Sequence, residues 1–210
     1  MNAEAAIAPK RIGVFGGAFD PPHNAHLALA MAALEQFQLD MLYIIPTGQA
    51  WHKARALSAP EHRLAMTRLA FEDVARVVVD DRELQREGPT FTIDTLQALQ
   101  TENPQAQLYL FIGADQFVAF RQWRKWQEIL ELAIICIADR AESTLAQTQF
   151  DAYAAQNHRF FTLKLPLMSV SATQVRQLIA SGAAASGEVA KLVPEPVARY
   201  ISLHQLYAPR

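Results

Sequence analysis

Two histidines three residues apart, His23 and His26, are the side chains whose type and spacing best suit chemistry. They close the run Gly16-Gly17-Ala18-Phe19-Asp20-Pro21-Pro22-His23-Asn24-Ala25-His26. Glycines at 16 and 17 let a backbone turn sharply and approach a ligand closely. Pro21-Pro22 stiffens the approach to a following helix and holds its entry residues extended. A spacing of three sets both imidazoles on one face near the helix start. Free N–H groups and the positive end of the helix dipole favour an anion there, and imidazole N–H groups can donate to phosphate oxygens where charge develops during transfer. The plainer alternative is a surface turn with two incidental histidines; a metal site would need further ligands that no spacing supplies. The run is neither a GxGxxG fingerprint nor a P-loop, lacking the further glycines and the Lys-Ser/Thr pair.

A second anion-binding stretch stands late in the chain, at Ser169-Val170-Ser171-Ala172-Thr173-Gln174-Val175-Arg176. Ser171 or Ser169 can cap a helix there and leave N–H donors facing a ligand. Arg176, three residues after Thr173, can bring its guanidinium to the same end and bind phosphate through two N–H groups. Taken alone, this is an ordinary capped helix.

The elements that must position these residues alternate. Short β-branched runs and helical patterns follow one another, the signature of βαβ units and a parallel sheet. Strands are expected at Arg11–Phe15, Met41–Ile45, Val74–Val79, Leu108–Ile112, Ala133–Ala138 and Phe160–Leu165. Helices are expected at Ala25–Phe37, Ala59–Asp73, Thr92–Thr101, Thr173–Ala180 and Pro196–Leu203. Ser58-Ala59-Pro60-Glu61 has capping-box spacing with proline in the first turn. The polar segment Arg140–His158 reads as a connection. Residues 1–9 are expected to be a flexible N-terminal extension and residues 10–210 one domain.

Bulk properties narrow the classes. The chain has 210 residues, 51% of them apolar, with a formal net charge of −2. Such a chain can bury a core without metals or disulfides, and near-neutral charge gives no footprint for nucleic acid or anionic membrane. Its one cysteine, Cys136, excludes an internal disulfide and reads as a buried, inert thiol. No apolar run approaches the roughly 20 residues of a membrane span, and the first ten residues do not make a signal peptide. The cytoplasm is the expected compartment.

The early run resembles the G-x-F-D-P-x-H-x-G-H signature of the nucleotidyltransferase superfamily related to class I aminoacyl-tRNA synthetases. Ala25 stands where that family usually carries glycine, and its methyl is expected to crowd a bound nucleotide slightly. The late stretch resembles the same superfamily's I-S-x-T-x-x-R signature. Three further stretches are similar to those of bacterial nicotinate-nucleotide adenylyltransferases: Pro46–Lys53, Phe91-Thr92-Ile93-Asp94-Thr95-Leu96, and Gly113-Ala114-Asp115 with Trp123 eight residues after Asp115. Arg124 occupies a place where relatives often have an aromatic residue or histidine, and Ala141 follows Arg140 where they often show proline.

This resemblance implies a doubly wound parallel α/β sheet, Rossmann-like, with the site at the carboxyl ends of the strands. It implies transfer of the adenylyl group of ATP to nicotinate mononucleotide, giving nicotinate adenine dinucleotide and pyrophosphate, a step of NAD biosynthesis. His23, His26 and Arg176 would be catalytic, and Gly16, Gly17, Phe19, Asp115, Ser171 and Thr173 would bind ATP. Lys53, Thr92, Trp123 and Arg124 would bind the mononucleotide, Trp123 by stacking on its ring; Trp126 is left to packing. We expect Arg124 to add attraction for the pyridine carboxylate. Mg2+ would arrive on ATP phosphates with no protein cage, and the chain would act as monomer or homodimer. Two other readings stay open: a nucleotidyltransferase for another phosphate acceptor, such as phosphopantetheine, and a non-catalytic nucleotide sensor on the same fold.

Overall fold

The structure is a computed structural model that describes residues 8–49, 57–139, 159–166, 168–182 and 187–209. Six parallel strands form one sheet in the order β3-β2-β1-β4-β5-β6. They are β1 (Arg11–Gly17), β2 (Met41–Pro46), β3 (Val77–Val79), β4 (Gln107–Gly113), β5 (Ala133–Asp139) and β6 (Phe160–Lys164). The helices are α1 (Asn24–Gln36), α2 (Pro60–Phe71), α3 (Thr92–Glu102), α4 (Ala114–Val118), α5 (Trp126–Leu132), α6 (Ala172–Ala180), α7 (Val189–Leu192) and α8 (Glu195–Leu203). Strand order reverses between β1 and β4, and in such sheets that crevice is where ligands bind.

Strands covered on both faces should be almost continuously apolar, and the two core clusters show why. Ile12, Val14, Leu108, Leu110, Ile112, Ile135 and Ile137 face one side, against Ile93, Leu96 and Leu99 of α3, Phe117 of α4 and Ile129 of α5. Phe15, Leu42, Ile44, Phe111 and Cys136 face the other. There they meet Leu29, Ala30 and Ala33 of α1, Met66, Ala70 and Phe71 of α2, and Val175 and Ile179 of α6. The two-residue alternation of side chains thus separates two cores across a single sheet. Cys136 is fully buried and burial pushes its thiol pKa well above the usual value, so it is inert packing.

Several expectations need correction. Gly16 and Gly17 do not turn the chain: both continue β1, in register with Ile45 and Pro46 of β2. The left-handed residue of the turn is Phe19, with φ of 46°. The third strand is three residues, Val77–Val79, because Val74–Arg76 is spent in a turn. In it Val74 N–H donates to Phe71, Val77 N–H donates to Val74, and Arg76 is left-handed at φ 65°. Ser58 does not cap α2. The N-cap is Ala59 with Pro60 in the first turn, and Ser58 is drawn away because its N–H donates to Asp20. Three short helices, α4, α5 and α7, were not foreseen; at 5, 7 and 4 residues they are too short for a period of 3.6 to show in the sequence. The segments 1–7 and 140–158 lie outside the described residues.

Candidate active site

A cavity of about 700 Å3 opens at the carboxyl ends of β1 and β4, within the usual range for small-molecule sites. Its lining takes Gly16 and Gly17 from β1, Ala25 and His26 from α1, Asp115 from α4, and Ser171 from the start of α6. Thr92, Trp123 and Arg124 complete it from the segments around α3 and α5. Eight of the residues singled out from the sequence therefore share one cavity: Gly16, Gly17, His26, Thr92, Asp115, Trp123, Arg124 and Ser171.

The histidine pair forms as the spacing requires. His23 is the N-cap of α1 in extended conformation (φ −143°, ψ 171°), the backbone an N-cap residue ordinarily takes. The rings of His23 and His26 stack with centroids 3.7 Å apart and planes 18° apart. The N–H of His23 donates to Nδ1 of His26 at 3.2 Å. With Nδ1 accepting, the neutral His26 ring carries its proton on Nε2, so the nitrogen left for a ligand is a donor. His23, 4% exposed, stands behind His26 and outside the cavity lining. Phe19, 1% exposed, is also behind it, edge-on to His26 with centroids 5.0 Å apart. Its side chain braces the imidazole from outside the cavity lining.

The late stretch is capped by Ser171, whose Oγ accepts the N–H of Gln174 at 3.2 Å; Ser169 is not the cap. Arg176 donates through Nη2 to Thr173 Oγ1 at 3.0 Å. Through Nη1 it donates to the main-chain oxygen of Asp20 at 2.7 Å, across 156 positions of sequence. The guanidinium is thus tied to the turn that carries the histidines, although Thr173 and Arg176 stand outside the cavity lining.

Sequence reading missed what fixes that turn. Asp20 is 1% exposed; Oδ2 accepts the N–H of Ser58 at 3.2 Å and Oδ1 accepts the hydroxyl of Tyr207 at 2.7 Å. Arg63, 2% exposed, donates to the carbonyls of Ala18 and Ser58 at 3.0 and 3.1 Å. Burial pulls the pKa of Arg63 down, while the charge of Asp20 opposes that. One signal was available: Arg63 falls on the same helical stripe of α2 as buried Met66, Thr67 and Ala70.

The opposite wall is built from rings and a second buried carboxylate. Arg124 lies over the ring of Phe91 at 4.6 Å, and Trp123 packs on Phe120. Thr92 is the first residue of α3, where N–H groups lack partners within the helix; Phe91, not Thr92, is the N-cap. Asp115 enters from the first turn of α4, close under Gly113, where an added Cβ would meet Asp115 Oδ1 at 2.7 Å. Glu83 accepts the hydroxyl of Thr95 at 2.8 Å, and Thr95 in turn accepts Arg86 Nη1 at 2.8 Å. Burial raises the pKa of Glu83, and the bond from Thr95 only partly offsets this. Trp126 packs against Phe120 as assigned. Lys53 lies outside the described residues. Among the described residues no group of three or more His, Cys, Asp or Glu could hold a metal, and no helix is long and apolar enough to cross a membrane.

Residues 14–178 match the family model described as cytidylyltransferase-like. A protein of Albidiferax ferrireducens named probable nicotinate-nucleotide adenylyltransferase is 54% identical, covering 94% of this chain and 98% of its own. One of the same name from Methylibium petroleiphilum is 40% identical over 100% of this chain and 96% of its own. The fold is shared with the nicotinic acid mononucleotide adenylyltransferase of Plasmodium falciparum. Its complex with NaAD aligns at a TM-score of 0.76 and 18% identity, covering 94% of this chain and 97% of that one.

Proposed function

The chain belongs to the cytidylyltransferase-like family, and from that premise we propose that it is a nicotinate-nucleotide adenylyltransferase, the enzyme named for its relatives. It transfers the adenylyl group of ATP to nicotinate mononucleotide, yielding nicotinate adenine dinucleotide and pyrophosphate for NAD biosynthesis. The observation that carries this reading is the bond from Arg176 to Asp20, which brings the two phosphate-binding segments together beside one cavity.

A phosphate oxygen of the mononucleotide attacks the α-phosphorus of ATP, and the bond to the bridging oxygen of the β-phosphate breaks. The attacking group is already an anion at neutral pH, so no general base or covalent intermediate is needed. Catalysis is positioning plus stabilisation of charge on departing pyrophosphate. His26 donates from Nε2 to the α/β-phosphates, with His23 stacked behind it. The capped start of α6 and Arg176 serve the β/γ end. Asp115 holds a ribose hydroxyl, Trp123 stacks on the pyridine ring, and Arg124 with the first turn of α3 receives its carboxylate. Mg2+, carried on the ATP phosphates, would supply neutralising charge there, and no residue of the chain is assigned to hold it. The enzyme works in the cytoplasm as a monomer or homodimer, with residues 10–210 as one domain.

Product analysis tests this directly. With ATP, Mg2+ and nicotinate mononucleotide the dinucleotide and pyrophosphate should accumulate in equal amounts. Consumption of neither substrate, or stronger turnover with phosphopantetheine, would end the reading.

A further inference from the structure

Among the described residues, Asp20 is held by three distant segments: Ser58 on Oδ2, Tyr207 on Oδ1, and Arg176 on the main-chain oxygen. Only one of these partners, Arg176, belongs to the machinery assigned above. Tyr207 comes from the segment after α8, where it adopts a left-handed backbone at φ 64°. A non-glycine residue accepts that conformation only where its surroundings fix it. Its hydroxyl is aimed at the carboxylate at 2.7 Å and reaches Met66 Sδ at 4.0 Å. Burial, with the neighbouring charge of Asp20, pushes the phenol pKa well above its ordinary value, so the group stays a donor throughout the working range.

We propose that Tyr207 is a positioning residue for adenylyl transfer, acting through Asp20 to set the distance between the histidine turn and the Arg176 guanidinium. A buried carboxylate deprived of one donor must rotate to find another. Rotation of Asp20 shifts the residue whose carbonyl holds Arg176 and whose successors lead directly into His23 and His26. Misplacement of this kind acts on the reacting geometry, not on the affinity of a preformed pocket, and therefore appears in kcat before KM. The inference rests on the adenylyltransferase reading and adds to it a residue outside every motif recognised in the sequence.

The test is a pair of double-substitution cycles on the full chain. Tyr207→Phe removes the hydroxyl and keeps the ring. It is expected to lower kcat about tenfold, with KM for ATP and for the mononucleotide each within about twofold. Combined with Arg176→Lys, the double variant should be no slower than Arg176→Lys alone within about twofold, because both act on one coupled unit. Combined with Trp123→Ala, on the other wall, the two effects should multiply. Rates are read well below each variant's melting temperature, so that loss of folded protein is not counted as loss of rate. Should Tyr207→Phe not fold, Tyr207→Leu, which also removes the donor to Asp20, takes its place in both cycles. A kcat within about twofold of the parent, or effects that multiply with Arg176→Lys as they do with Trp123→Ala, overturns the proposal. A parent that turns over no ATP with the mononucleotide sinks the adenylyltransferase reading instead. The same cycle is then measured on pyrophosphate release from ATP with the acceptor that does support turnover, where multiplying effects of Tyr207→Phe and Arg176→Lys on kcat would overturn this inference on its own.

Discussion

The two walls of the cavity are held by different physics. Around the histidine turn, partly buried hydrogen bonds from four segments converge on the buried Asp20 and Arg63: Asp20 and Ala18 on the turn, Ser58 and Arg63 at α2, Arg176 on α6, and Tyr207 beyond α8. On the opposite wall ring contacts predominate, Arg124 over Phe91 and Trp123 against Phe120, beside one buried hydrogen-bonded pair, Glu83 and Thr95. Buried polar bonds fix position tightly, since leaving one unmade is costly. Ring and cation contacts are softer and tolerate exchange of partners. On the proposed function, the end that would handle the triphosphate is the over-determined one, and the end that would choose between pyridine nucleotides is the adaptable one.

That contrast can be broken in four places, in falling order of effect. His26→Ala should cut turnover by roughly two to three orders of magnitude, the scale of losing one donor to developing charge. Steady-state pyrophosphate release measures it, and an unchanged rate in a folded variant would remove His26 from the mechanism. Trp123→Ala should raise KM for the mononucleotide roughly tenfold, the scale of one stacked base, and leave ATP affinity nearly unaltered; a selective loss of ATP binding would reverse the assignment of the two walls. Arg124→Ala should reduce the preference for nicotinate over nicotinamide mononucleotide by about two- to fivefold, as befits a partly exposed charge. Equal preference in variant and parent would show that main-chain N–H groups read the carboxylate alone.

The smallest effect concerns Glu83 and is read in stability, not rate. Its pKa is raised in the folded state, so folding binds its proton more tightly than the unfolded chain does. Stability therefore falls as pH climbs above the ordinary glutamate value, and levels off once the folded group has ionised. Asp80 behaves oppositely. Burial there is outweighed by the bonded Arg82, and the stability it contributes is lost as pH falls. Glu83→Gln should flatten the first trend and spare the second, as melting temperatures between about pH 2 and 7 would show.

Much of this molecule could be read from its sequence, for identifiable reasons. The central strands of the sheet are covered on both faces and so appear as apolar runs; helices of nine residues or more repeat often enough for their stripe to show. The histidine spacing and the capped start of α6 are local, and both formed as expected. What stayed hidden is long-range. No spacing announces that Tyr207 will donate to Asp20 or that Arg63 will hold Ala18. The paired glycines misled because a residue that permits a turn does not compel one. Neighbouring β2 claimed them for the sheet, and the left-handed position passed to Phe19.

The bond between Asp20 and Tyr207 spans 187 positions, and a polypeptide is made from its amino end. The histidines emerge from the ribosome early, yet the last donor to their turn arrives only when nearly everything else described has been synthesised. A nascent chain carrying the whole signature would still lack its final fixing point, so competence for catalysis should come late in synthesis and abruptly.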